Sequence, residues 1–249
     1  MTIISVVSGK GGVGKTTLAI NLAAALAQHQ KKNITLVDCN LTTSHLGLQL
    51  GMYNCSTTIN HVLKGEASID ESIVKHYTGM NVIPASISIN DLKGVDITNL
   101  IDVAKDISEK SDLVFLDSSP GLGREAVSAM KACDEILYVT NPHIPSVIDI
   151  IRCQEIASEI GKTPMGIVLN MVNRESHMEK NDIERLTELP VISSIPYDKS
   201  VFKSLDLKQP VIISHPKSKA SEEMLKLAYS MVGEQYKTKR LSRLFRIFS

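Results

Sequence analysis

The sequence predicts an α/β fold: a three-layer, doubly wound and mostly parallel sheet with helices on both faces. Three observations lead there. Short β-branched runs alternate with helical patterns from one end of the chain to the other. Several of those runs are apolar at nearly every position instead of every second one, the mark of a strand covered on both faces. And 249 residues suffice to bury one core of this kind.

The first run, IISVV (3–7), leads through a glycine-rich stretch into TTLAINLAAALAQH (16–29), an Ala- and Leu-rich helical pattern. ITLVD (34–38) and NVIPA (81–85) read as strands, ITNLIDVAKDISEK (97–110) as a helix, and LVFLD (113–117) and EILYVT (135–140) as two more strands. In PSVIDIIRCQEIASEI (145–160), Pro145 stands where a first helical turn tolerates it, and Gly161 follows the last periodic residue. MGIVLN (165–170) and PVISSIP (190–196) read as strands, and SEEMLKLAYSMVGEQ (221–235) as a helix. No repeat, low-complexity tract or linker interrupts the chain before residue 237, so the expectation is one domain over 1–236 and a tail over 237–249.

Composition narrows the function classes. Lys and Arg number 27, as do Asp and Glu, so the chain as a whole has no bias toward nucleic acid or membrane. The balance is uneven, however. The tail holds Lys237, Lys239, Arg240, Arg243 and Arg246 and no acidic residue, leaving residues 1–236 with 22 basic against 27 acidic. Cys39, Cys55, Cys133 and Cys153 lie far apart with no Cys-x-x-Cys pair, which argues against disulfides and zinc; the seven histidines show no ligand spacing and read as surface or structural. The chain opens directly into a strand-like run without a signal-peptide pattern, and no apolar run reaches the roughly 18 residues that span a bilayer.

The chemistry begins at residues 8–17, SGKGGVGKTT. Gly9-Lys10-Gly11-Gly12-Val13-Gly14-Lys15-Thr16 completes the pattern G-x-x-x-x-G-K-[ST] between a strand and a helix. Glycines let backbone N–H groups converge on phosphate oxygens, and the helix turns its positive end toward them. Lys15 is placed to neutralise the β and γ phosphates, the Thr16 hydroxyl to ligate Mg²⁺, and Thr17 to reach the α phosphate. Asp117, at the end of LVFLD, sits where ligands bind in such sheets and can hold Mg²⁺ through water.

A second lysine in the loop, Lys10, is unnecessary for this cradle. The G-K-G-G-x-G-K-[ST]-T pattern resembles the deviant phosphate loop of the MinD/ParA family of P-loop ATPases, in the SIMIBI-type class. In that family the early lysine reaches across a nucleotide-sandwich homodimer, so the resemblance implies that Lys10 acts in trans, as an arginine finger does. It also implies that Val37-Asp38-Cys39-Asn40-Leu41-Thr42-Thr43 is the first switch, with Asp38 supporting the metal. Asp117-Ser118-Ser119-Pro120-Gly121-Leu122-Gly123 would be the second switch, sensing the γ phosphate. Where relatives usually carry a second Asp, the proposed orienter of the attacking water, this chain has Asn40. An amide holds water but does not take its proton, which points to slow turnover; the plainer reading makes Asn40 a turn residue.

By the same resemblance Asn170 reads the adenine edge and the backbone around Pro196 and Tyr197 packs beside the base, although an asparagine at a strand end also serves as a cap. No Asn-Lys-x-Asp guanine motif occurs, which favours ATP over GTP. Thr140-Asn141-Pro142-His143 resembles the family's TNPE stretch, with His143 as the departure.

In the tail, Leu241, Leu244, Phe245 and Phe248 fall at i, i+3, i+4 and i+7, with Arg240 and Arg243 among the basic residues that flank them. That is a short basic amphipathic helix suited to lie in a headgroup layer, as MinD-family tails do; packing on the body or disorder are the alternatives. Burying four such side chains gives about 6–12 kcal/mol at most, against about 1–2 kcal/mol for each of some ten residues ordered. One tail is marginal, and two on a dimer bind together.

The leading expectation is therefore an ATPase switch, requiring ATP and Mg²⁺, that dimerises on ATP. It would settle on an anionic membrane surface as a cytoplasmic, peripheral protein, and answer to an unidentified protein partner or activator in positioning cell division or other machinery. The alternatives are a slow or non-hydrolysing ATP-dependent membrane scaffold, motivated by Asn40, and a ParA-like partitioning ATPase. The acidic body argues against the latter, and no nucleic acid is expected.

Overall fold

The computed structural model describes residues 1–173, 175–176 and 178–236; the expectations for Arg240, Leu241, Arg243, Leu244, Phe245 and Phe248 lie outside them. Its strands are β1 (Thr2–Val7), β2 (Ile34–Cys39), β3 (Val74–Lys75), β4 (Asn81–Ile83), β5 (Leu113–Ser118), β6 (Glu135–Thr140), β7 (Thr163–Val172) and β8 (Val191–Pro196). They form one sheet in the order β3-β4-β2-β5-β1-β6-β7-β8. Every neighbouring pair is parallel except β3 with β4, which is antiparallel.

Eleven helices are described: α1 (Lys15–Gln30), α2 (Leu46–Gln49), α3 (Ile59–Leu63), α4 (Ile69–Ser72), α5 (Leu100–Glu109), α6 (Arg124–Lys131), α7 (Ile144–Glu159), α8 (Lys180–Thr187), α9 (Lys199–Asp206), α10 (Val211–Ser214) and α11 (Lys219–Met231). One core joins α1, α10 and α11 to the sheet through Leu18, Leu22, Leu26, Val211 and Met224. The other joins α3, α5, α6, α7 and α8 through Ile59, Leu100, Ala129, Val147 and Ile183. Alternation along β5 feeds both, with Leu113 and Phe115 facing the first core and Val114 and Leu116 the second. This is why the central strands carry no polar face. β8, at the edge, alternates buried and exposed residues instead.

Several boundaries differ from the sequence reading, three of them with a cause visible in the structure. The strand in NVIPA stops at Ile83, since Pro84 has no N–H for the ladder and its carbonyl accepts from Ile59. The helix expected over 97–110 is a 3₁₀ turn (Ile97–Asn99), capped by the Asp96 carboxylate on the Thr98 N–H, followed by α5. The last helix starts earlier, at Lys219, where the Ser218 hydroxyl accepts from Ser221, and ends at Met231. Gly233, at φ 73°, turns the chain back there.

Candidate functional site

The site is built on the ends of three adjacent strands. In register, Val6 of β1 lies beside Asp117 of β5, which lies beside Asp38 of β2. Largely apolar strands thus deliver two carboxylates side by side at the carboxyl edge of the sheet, where the chain must leave into loops.

Between β1 and α1, Gly12 and Gly14 take φ values of 80° and 87°, in the left-handed region that favours glycine. A Cβ on Gly12 would meet nothing within 4 Å, so that side of the loop is open backbone. Gly14 caps α1 without a side-chain bond, and no acidic residue stands in the first turn, which leaves the helix's positive end available to an anion. Gly9 has a different constraint: a Cβ there would sit 2.2 Å from the Asp149 Cβ and 2.8 Å from its carbonyl carbon, so α7 packs directly on the loop's backbone.

Lys15 opens α1 and its Nζ lies 2.7 Å from the Asp117 Oδ1, with side chains 6% and 1% exposed. Asp38 is fully buried. Its Oδ2 accepts the Ser44 hydroxyl at 2.6 Å and its Oδ1 the Asn40 N–H at 3.0 Å. Burial first, and the neighbouring Asp117 charge second, push the Asp38 carboxyl up to about 7. A carboxylate whose folded pKa is raised adds stability at low pH that is lost as the pH climbs from about 4 toward about 7. Replacing Asp38 with Asn is accordingly expected to gain stability relative to the wild type across that interval, measured by urea unfolding at several pH values. Parallel pH profiles would mean that Asp38 does not titrate in this window.

Asn40 sits in a tight local network. Its Nδ2 donates to the Thr43 carbonyl at 2.8 Å, and its Oδ1 accepts the Thr43 hydroxyl at 3.0 Å. Both ends of the amide are engaged within the loop, as in an Asx turn. Thr16 is half-buried in the first turn of α1. The Thr17 hydroxyl donates to the Gln49 Oε1 at 3.1 Å, tying α1 to α2. Lys10 is half-buried, its carbonyl accepts the Ser8 hydroxyl at 3.0 Å, and no ion pair at its ammonium is found among the described residues.

On the other side of the loop, the Asn170 Nδ2 donates to the Val13 carbonyl at 2.8 Å, and the Asn170 carbonyl accepts the Asn141 Nδ2 at 2.9 Å. A Cβ on Gly14 would meet the Asn170 Nδ2 at 2.2 Å. Met171 follows at φ 57°, and Tyr197, just after Pro196, donates its N–H to the Val172 carbonyl at 2.8 Å. The structure thus gathers Gly11 through Thr17, Asp38, Asn40 and Asp117 at one edge, with Asn170 braced against the loop and the Pro196 turn tied to the end of β7.

Sequence reasoning missed the supports: Ser44 behind Asp38, Gln49 behind Thr17, Asp149 beneath Gly9, Asn141 behind Asn170, and Met171. Of these, only Asn141 stands in a stretch with a recognisable motif. Sequence reasoning also missed the ties between loops. The Gly121 N–H donates to the Ser8 carbonyl at 2.9 Å, the Ser118 hydroxyl to the Val6 carbonyl at 2.8 Å, and the Thr42 hydroxyl to the Glu125 Oε1 at 2.5 Å.

Open glycine backbone at a helix N-terminus, a buried lysine, a hydroxyl and two carboxylates form a donor set of the kind that holds a magnesium-bound polyphosphate. Fold and site together define a nucleotide-binding α/β domain of the phosphate-loop class. The model of the CobQ/CobB/MinD/ParA nucleotide-binding domain matches residues 4–211, and the chain belongs to that family. An uncharacterized ATP-binding protein of Methanocaldococcus jannaschii is 37% identical over 233 residues, which cover 93% of this chain and 88% of that protein. The crystal structure of the cell division ATPase MinD of Pyrococcus furiosus is similar at a TM-score of 0.89 and 32% identity, over 93% of this chain and 98% of that one. The septum site-determining protein MinD of Pyrococcus horikoshii, complexed with Mg-ADP, is similar at a TM-score of 0.88 and 30% identity, over 92% and 95%. The family and fold expected from the loop are both borne out.

Proposed function

We propose that this chain is a MinD-like ATPase switch that binds ATP with Mg²⁺, pairs with a second copy, meets an anionic membrane surface through residues 237–249, and leaves it after hydrolysis. The observation that carries the reading is the loop itself: Lys15 buried on Asp117 inside the cradle, and Lys10 at its rim. Thr16, with Asp38 and Asp117 behind water, would hold the metal, which supplies positive charge to the phosphates as their negative charge shifts.

Lys15 is drawn from Asp117 to the phosphates when nucleotide enters. The backbone N–H groups of Gly11 to Thr16 orient the polyphosphate. Lys10 brings a second cation from the partner copy, and Asn170 with the Pro196 turn borders the base. The switch loops then read the γ phosphate, as in other phosphate-loop proteins.

Among the described residues no helix is long and apolar enough to cross a membrane. Contact with a bilayer therefore falls to surface segments. Cosedimentation of the full chain with vesicles of phosphatidylcholine and phosphatidylglycerol is expected to require Mg-ATP and to fall by about tenfold or more in Phe245→Glu, which places a charge in the apolar stripe. Binding that ignores both nucleotide and that substitution would overturn the membrane reading. The alternative of a scaffold that scarcely hydrolyses has one specific support: the Asn40 oxygen and one of its two amide N–H groups are engaged by Thr43, which leaves a single N–H to hold a water.

A further inference from the structure

The chain has four phenylalanines. Phe115 is in the core and Phe245 and Phe248 belong to the tail, but Phe202 is 47% exposed on α9. Around it α9 turns an unusual face outward. Lys199, Phe202, Lys203, Asp206 and Leu207 recur at i, i+3, i+4, i+7 and i+8, and all are exposed; Leu207 reaches 55%. Ser204 is the only buried residue of the helix. The Tyr197 ring, 47% exposed, leans on Phe202 with centroids 5.7 Å apart.

The charge of this region opposes that of the body. Between Tyr197 and Lys219, five lysines are exposed (Lys199, Lys203, Lys208, Lys217, Lys219), while Asp206 is the one exposed carboxylate. The half-buried Asp198 is spent capping α9 and accepting the N–H of Ala220. None of the five lysines forms an ion pair among the described residues. Residues 1–236 as a whole carry 22 basic against 27 acidic side chains, so this is a local positive island.

We infer that the outward face of α9 is a second membrane-contact surface, one that places Phe202 and Leu207 in the headgroup layer of an anionic bilayer and sets Lys199 and Lys203 against its phosphates. Large apolar side chains beside lysines are what an interfacial helix presents: the rings enter the acyl boundary, and the lysine stems lie flat with their ammonium groups in the headgroups. A duplex backbone would use the lysines but leave the apolar residues without a counterpart. The surface acts beside the tail, and two weak contacts on one body multiply each other's occupancy. The inference rests on the reading that this chain meets a lipid surface, and not on the tail's being the sole contact.

The test is cosedimentation of the full chain, with Mg-ATP, on phosphatidylcholine vesicles with and without phosphatidylglycerol. It compares wild type, the double variant Phe202→Ser with Lys203→Glu, the single variant Leu207→Ser, and Phe245→Glu. The double variant is expected to bind anionic vesicles about tenfold less tightly, and Leu207→Ser less tightly by a smaller factor, with nucleotide binding retained in both as the sign of an intact fold. Lys203→Arg keeps the charge and is expected to bind as wild type does. If both α9 variants match wild type while Phe245→Glu fails, the α9 surface is wrong and the membrane reading stands. If no chain binds vesicles, both readings fall. Should wild type bind duplex DNA instead, with the same loss in the double variant, the assignment to lipid is overturned. Where the double variant does not fold, Leu207→Ser alone decides.

Discussion

Alanine at Lys15 is expected to abolish ATP hydrolysis and also to weaken the nucleotide-free fold, by about 3–5 kcal/mol in alkaline buffer. The second effect follows from the ion pair that Lys15 makes in the empty site. Without phosphates its ammonium neutralises Asp117, which is 1% exposed and stands beside the fully buried Asp38. Removing the cation leaves two adjacent buried carboxylates with no counter-charge, and breaking a buried pair costs far more than the pair contributes net.

Asp38 can escape by taking up a proton, so the loss depends on pH. Its carboxyl, already raised by burial, rises further above its unfolded value, and stability present in acid is lost as pH increases. The destabilisation in Lys15→Ala should therefore be larger at about pH 8 than at about pH 5, read by urea unfolding of the nucleotide-free chain. Equal loss at both pH values would show that the ion pair does not govern the empty site.

Alanine at Lys10 is expected to leave nucleotide affinity within about twofold and to slow single-turnover phosphate release on the order of a thousandfold, the low end of what a cation supplied in trans contributes. The two measurements separate this lysine from Lys15. A group needed to bind the phosphates of its own chain changes affinity, and one delivered by a partner changes the rate once two copies meet. The release rate should also climb with protein concentration in the wild type and not in Lys10→Ala. A variant that loses affinity but keeps its rate would return Lys10 to its own chain's loop.

The fold was legible where burial on both faces leaves no room for polar residues. β1, β2, β5 and β6 are apolar nearly throughout, and their loops begin where that ends. β3 escaped notice because Val74–Lys75 is too short to show a period and pairs antiparallel at the edge. α6, α8 and α9 escaped because each has eight residues with few apolar positions. At the site, the phosphate loop was visible because its spacing along the chain is itself the geometry, Asp117 because it ends a strand, and Asp38 through the family resemblance, while strand register is what sets the two acids side by side. Ser44, Gln49 and Asp149 were not, because what places them is the packing of distant segments. Asp149 lies 140 positions beyond Gly9 and touches it only because α7 covers the loop.

The Thr42 hydroxyl meets the Glu125 carboxylate at 2.5 Å, which bolts the loop after β2 to the helix that follows the loop after β5. Behind that bolt, Ser44 hangs on Asp38 while Gly121 hangs on Ser8. Two segments far apart in sequence, each adjoining a different acid, are thereby geared to one another and to the first loop. Moving either segment away therefore means breaking a hydrogen bond that the other one holds.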